Sequence, residues 1–129
     1  MSAFSDALSV TASGLKAQAT RLRLVSENIA NMDTPGYHRK SVPFELDRSD
    51  TVLSRVETGR VRLDRSELEQ IYDPSHPLAD ATGNYRGSNV DLVIEIADAR
   101  EAQRSYEANL KMFDQTRQMS SGLMELLRR

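Results

Sequence analysis

Asn28-Ile29-Ala30-Asn31-Met32-Asp33-Thr34-Pro35-Gly36-Tyr37 is the stretch in which the chain stops repeating like one helix. Asn28, Asn31 and Asp33 are weak helix formers whose short polar side chains bond to nearby backbone. Thr34 precedes a proline, which steers it out of the helical region. Pro35-Gly36 suits the two central positions of a type II turn, with Gly36 at positive φ. These residues predict a helix ending near Asn31 or Met32, followed by a turn that sends the chain off in a fixed direction.

Upstream, from Ser2 to Met32, the apolar spacing is helical. Leu8, Leu15, Leu22 and Ile29 recur every seven residues, and Phe4, Val25 and Met32 occupy a second seam position that Thr11 and Gln18 interrupt. Ala12 and Ala19 widen the stripe. A seam over four heptads belongs to a helix that packs lengthwise on another helix. Its length would be ~45 Å. Ser2 can cap the start, and Asp6 suits the positive end of the helix dipole. Gly14 costs about 1 kcal/mol relative to alanine inside a helix. It is either a tolerated defect or the mark of a close helix–helix approach.

Downstream the period changes. Val42, Phe44 and Leu46 alternate with other residues as in a half-buried strand. Val52, Leu53 and Val56, then Val61 and Leu63, read as further short strands, with Thr58-Gly59 as a turn between them. Tyr72-Asp73-Pro74-Ser75-His76-Pro77 is excluded from regular structure by its two prolines, and Gly83, Asn84, Gly87 and Ser88 keep the next stretch loop-like.

Helical spacing returns at Val90. Ser88-Asn89-Val90-Asp91 fits a capping box, Ser88 capping and Asp91 reaching back. Leu92, Ile96, Ala99, Tyr106, Leu110, Phe113, Met124 and Leu127 outline a seam that Gln103, Arg117 and Ser120 interrupt. Glu107 with Lys111, and Glu125 with Arg129, are favourably ordered ion pairs on the wet face. Asn109, a poor helix former in mid-helix, is a candidate to hydrogen-bond across an interface. The expected fold is mainly α with a small β insert. Residues 1–34 and 89–129 form long helices that pair as an antiparallel coiled coil, and residues 35–88 form the insert. One such pairing leaves apolar side chains over, so other chains are expected to complete the burial.

Composition narrows the function. The 129 residues carry 17 Lys+Arg and 19 Asp+Glu, and the balance holds locally: 3 against 3 through Thr34, 8 against 9 to Asn89, 6 against 7 beyond. No segment is basic enough to follow a phosphate backbone, which argues against nucleic acid. No apolar run approaches the roughly 20 residues of a membrane helix, and the first residues do not resemble a cleavable secretory signal. With no cysteine there are no disulfides or thiolate metal sites. His38 and His76 lie near Asp33, Asp73 and Asp80, but without the spacing of a metal or catalytic motif. Met112, Met119 and Met124 read as packing residues rather than metal ligands. No catalytic, cofactor or metal residue is expected.

Two motifs carry a resemblance. Asn28-Ile-Ala-Asn31 with Thr34-Pro35-Gly36-Tyr37 resembles the N-terminal signature of the bacterial flagellar axial proteins, the rod, hook and hook-associated group. Asn89-Val90-Asp91-Leu92, followed by Arg104-Ser-Tyr106-Glu-Ala108-Asn109, is similar to that group's C-terminal signature. Tyr72-Asp-Pro-Ser-His-Pro-Leu-Ala-Asp80-Ala looks like a segment typical of proximal rod subunits. Two places depart from the pattern. Arg100-Glu-Ala102-Gln103 is more charged than the apolar stretch usual there, and Asn84 follows Gly83 where the pattern runs Gly-Tyr directly. The resemblance implies a structural subunit of the basal-body rod with no catalysis and no cofactor. It implies partners among other rod proteins and copies of itself, in a tube that transmits torque across the periplasm, and export through the flagellar type III apparatus without a cleavable signal. The two seams are then subunit interface, as are Asn28, Asn31, the Thr34–Tyr37 turn, Asn89, Asp91 and Asn109. Two other readings stand beside it: a soluble cytoplasmic helical adaptor, and a small hydrolase using His76 and Asp73.

Overall fold

A computed structural model describes residues 2–128. Helix α1 runs Ser2–Ala30 and helix α2 runs Leu92–Leu127. Between them lie six short strands: β1 Lys40–Ser41, β2 Phe44–Leu46, β3 Val56–Thr58, β4 Arg62–Leu63, β5 Gln70–Tyr72 and β6 Asn84–Arg86. The molecule is thus mainly helical with a small β insert. The Ser2 cap and the Glu125–Arg129 pair fall on side chains outside those described.

The helices are antiparallel. Gly14 faces Asn109, Arg21 reaches Asp98 and Glu101, and Asn28 bonds Glu95, so one index rises as the other falls. The face they share overlaps the expected seams only in part, at Val25. Among the described residues the buried apolar side chains are Ala17, Leu24, Val25 and Ala102. At 100° per residue, the Leu8–Leu15–Leu22–Ile29 stripe lies roughly 130° around α1 from that face, and Leu92, Ile96 and Leu110 lie roughly 90° around α2. Leu8, Leu15, Leu22, Tyr106 and Phe113 are half-buried, while Ile29, Leu92, Ile96 and Leu110 are exposed. The physical cause is close approach. Gly14 has no side chain, and a Cβ there would sit 3.1 Å from the Asn109 amide. Gly14 is therefore a contact position, and Asn109 packs on it within the chain, donating to the Ser105 carbonyl at 3.1 Å. Following the same pairing, the turns of α2 from Ser121 on extend past the described start of α1. This overhang explains why Met124 and Leu127 are exposed.

The insert contains three separate antiparallel pairs, β1 with β4, β2 with β3, and β5 with β6. The single strand expected across Val42–Leu46 is broken at Pro43, which has no N–H to give to a ladder. Its outer half is exposed rather than half-buried, with Leu46 at 58%. Val52 lies outside any strand and is also exposed. The proline-rich segment is irregular from Asp73 to Pro77 as expected, but Tyr72, which the sequence placed outside regular structure, ends β5 and pairs with Asn84. Asn84–Arg86 forms β6, where the glycines predicted a loop. The β2–β3 hairpin is held on α1 by the Val56 N–H, which donates to Ser13 Oγ at 3.2 Å, and by Arg55, which reaches Ser9 Oγ at 3.3 Å.

Candidate functional site at the helix junction

Asn28 lies in the last turn of α1 with no exposed surface. Its amide uses every position it has. Oδ1 accepts from the Tyr37 hydroxyl at 2.8 Å and from the Lys40 N–H at 2.9 Å, and Nδ2 donates to the Lys40 carbonyl at 2.8 Å and to Glu95 Oε2 at 3.3 Å. All four of these bonds are made within the chain. Asn31 is likewise engaged within the chain: Nδ2 donates to the Glu27 carbonyl at 2.8 Å, and Oδ1 accepts from Thr34 Oγ1 at 3.1 Å.

The turn that follows has the expected geometry. Gly36 has φ +77° and the Tyr37 N–H returns to the Thr34 carbonyl at 3.2 Å, which closes a type II turn around Pro35. The same turn receives the far end of the insert. The Gly36 N–H donates to the Gly87 carbonyl at 3.0 Å, and the Asn89 N–H donates to the Tyr37 carbonyl at 3.4 Å.

The capping of α2 differs from the expected box. Asp91 is the N-cap and accepts from the Val93 N–H at 3.0 Å. Ser88 is buried and donates instead to the Met32 carbonyl, tying the segment before α2 to the end of α1. Asn89 joins three segments. Its Oδ1 accepts from the Arg39 N–H at 2.6 Å, and its Nδ2 donates to the Asp64 carbonyl at 2.9 Å. Asn28, Tyr37 and Asn89 are thereby brought together, while Tyr106, Phe113, Met124 and Leu127 lie progressively farther along α2.

The centre of the junction is ionic. Glu95 is fully buried, and its carboxylate pairs with Arg39 Nε on one oxygen and Asn28 on the other. Arg39 continues to Asp98 at 2.6 Å, and Asp98 also meets Arg21 at 3.4 Å. Burial works against the Arg39 charge, yet its hydrogen bond to Glu95 and the nearby carboxylates hold its pKa above the ordinary value. Burial raises the Tyr37 hydroxyl. The salt bridge between Lys40 and Glu27, 2.6 Å long, lowers Glu27 and raises Lys40.

Sequence reasoning missed Arg39, Glu95 and Asp98. A signal was present, since Gly14, Arg21 and Asn28 are spaced by seven, as are Glu95, Ala102 and Asn109. These small and polar heptads form the contact face. An apolar search passes over them.

The histidines have structural partners. His38 Nδ1 lies 2.9 Å from the Asp64 carbonyl. His76 stacks on Tyr85 at 3.9 Å, and its Nδ1 accepts from the Leu78 N–H at 3.1 Å. Among the described residues no cluster of three or more His, Cys, Asp or Glu is placed to hold a metal ion, and no helix is long and apolar enough to cross a membrane.

The helix pair closed by this junction carries both motifs that resemble the flagellar axial proteins, and the sequence comparisons define the class as flagellar basal-body rod proteins. Residues 8–38 match the family model "Flagella basal body rod protein", and residues 81–126 match "Flagellar basal body rod FlgEFG protein C-terminal". The flagellar basal-body rod protein FlgC of Agrobacterium fabrum is 45% identical over 99% of this chain and 98% of its own length. FlgC of Bacillus subtilis is 32% identical over 98% of this chain and 99% of its own, and FlgC of Salmonella typhimurium is 32% identical over 85% and 87%. The chain belongs to the FlgC family of flagellar basal-body rod proteins.

Proposed function

We propose that this rod subunit polymerises, with copies of itself and with other rod proteins, through the apolar stripes that its own helix pair leaves uncovered. One observation carries the reading: four apolar side chains are buried among the described residues, two of them alanines, while Ile29, Leu92, Ile96, Leu110, Met124 and Leu127 are exposed. Burial of apolar surface is the main term favouring folding and association, about 25 cal/mol per Å². A chain with so little internal core gains most of that term on assembly. Leu8, Leu15 and Leu22 continue the stripe of Ile29, and Thr34 and Gly36 present the turn to solvent beside it.

In this reading the subunit is non-enzymatic and its work is mechanical, as part of an axle that carries torque across the periplasm. It reaches that place through the flagellar type III export apparatus. The bonding of both histidines within the insert supports a structural role for them.

Leu22→Glu tests the interface. A carboxylate buried there without a partner costs several kcal/mol, so basal bodies should lack the subunit and cells should not swim, with expression and monomer helicity unchanged. Normal swimming and incorporation would remove the stripe from the interface.

A further inference from the structure

Shape sets the alignment of the face that joins α1 to α2 only weakly, since Leu24 and Val25, both close to the junction, are its only buried apolar side chains larger than alanine among the described residues. Gly14, Ala17 and Ala102 present little relief, and Asn109 fills the space that Gly14 leaves. A face with so few knobs resists sliding weakly, because few side chains must leave their holes when one helix moves a turn, about 5.4 Å, past the other.

We infer that the buried Asn28–Glu95–Arg39 cluster is the register key of the helix pair, specifying which turn of α2 meets which turn of α1. The chemistry is one-sided. In the observed register Glu95 has a partner on each oxygen, and Asn28 has all four of its bonds. Moving α2 by a turn in either direction withdraws the carboxylate from both partners and leaves it unpaired in a site with no exposed surface. Arg39 lies beyond the Pro35-Gly36 turn, and its Nη2 also holds Asp98 at 2.6 Å, so the key engages a third segment besides the two helices. A polar group buried in an otherwise forgiving helix contact is the best-attested use of such groups, and it costs stability relative to an apolar pair of the same volume. The inference concerns alignment within one chain and stands whether or not the exposed stripes are interfaces.

Cross-linking in the purified full-length chain tests it. There is no native cysteine, so Gly14→Cys can be paired in turn with Asn109→Cys, Ser105→Cys or Phe113→Cys, each reporting one alignment. With Arg39 and Glu95 intact, the 14/109 pair should dominate. In the Arg39→Met/Glu95→Met background helicity should persist, while the 14/105 or 14/113 product rises roughly ten-fold or more against 14/109. Four results would overturn the inference. The double variant could cross-link at 14/109 alone. It could lose its helices, making the cluster a stabiliser. Or the chain with both residues intact could already give all three products equally. Glu95→Gln in the same assay keeps the volume and should shift the products in the direction of the double variant. A Glu95→Gln chain that cross-links at 14/109 alone would likewise count against the key.

Discussion

Asn28 holds four bonds with one amide, which makes the cost of its removal larger than that of an ordinary hydrogen bond. In Asn28→Ala the Lys40 N–H and carbonyl and the Tyr37 hydroxyl lose a partner in part-buried places, and one oxygen of Glu95 loses one in a buried place. Unsatisfied buried groups cost about 1–3 kcal/mol each, and relaxation recovers part of that. A loss of about 3 kcal/mol or more in chemical denaturation is expected, with Asn28→Asp at least as damaging because it sets a second carboxylate against Glu95. Gly14 offers a test with the opposite sign. Alanine there should gain about 1 kcal/mol from helix propensity, but its Cβ would crowd the Asn109 amide at 3.1 Å. Gly14→Ala alone should give little or no gain, and it should stabilise by about 1 kcal/mol once Asn109→Ala has cleared the space. A double-mutant cycle of melting temperatures measures the difference.

The elements were unequally legible in the sequence. Long periodic runs exposed both helices, and Thr34-Pro35-Gly36 exposed the turn, because these signals are local. The face on which the helices meet was not legible from apolar periodicity, since Gly14, Arg21 and Asn28 meet Glu95, Ala102 and Asn109 through closeness and charge. The cap was misplaced by three residues because Ser88, a good N-cap type, has a buried competing acceptor in the Met32 carbonyl. Strand β6 was hidden by its flanking glycines, which serve the turn at Gly83 and the close pass of Gly87 by Ile71. The loop between β5 and β6 titrates in a readable way. The Ser75 hydroxyl and N–H lower Asp73, and the Thr82 hydroxyl with the Asn84 and Thr82 amides lowers Asp80. A carboxyl lowered in the folded state adds stability above its ordinary range and loses it as the pH falls through its folded value. The Ser75, Thr82 and Asn84 amides should stay protected from pH 7 to 5 and lose protection below about pH 4. Asp73→Asn with Asp80→Asn should flatten that response in amide exchange.

At the scale of the whole molecule, burial is concentrated at one end. The buried groups Leu24, Val25, Asn28, Ser88 and Glu95 cluster at the junction, while the far end has an overhanging α2. Isolated helical turns are marginal in water, so amide exchange in dilute monomer should rise steadily away from the junction. Residues 2–10 and 120–127 should exchange fastest and residues 21–30 and 93–102 slowest; uniform protection along both helices would contradict this. The stapling of Gly36 to Gly87 and of Tyr37 to Asn89 has a further consequence. The outgoing and returning chains leave the helices through one clasp, so the segment between them behaves as a cassette on a fixed mount. Its Asp73–Gly83 loop can change in length and content without the helix pair registering the change, whereas Arg39, Lys40, Arg55 and Val56 bond the helices directly. One helical chassis can thus carry different outer surfaces, each new surface arriving already aligned.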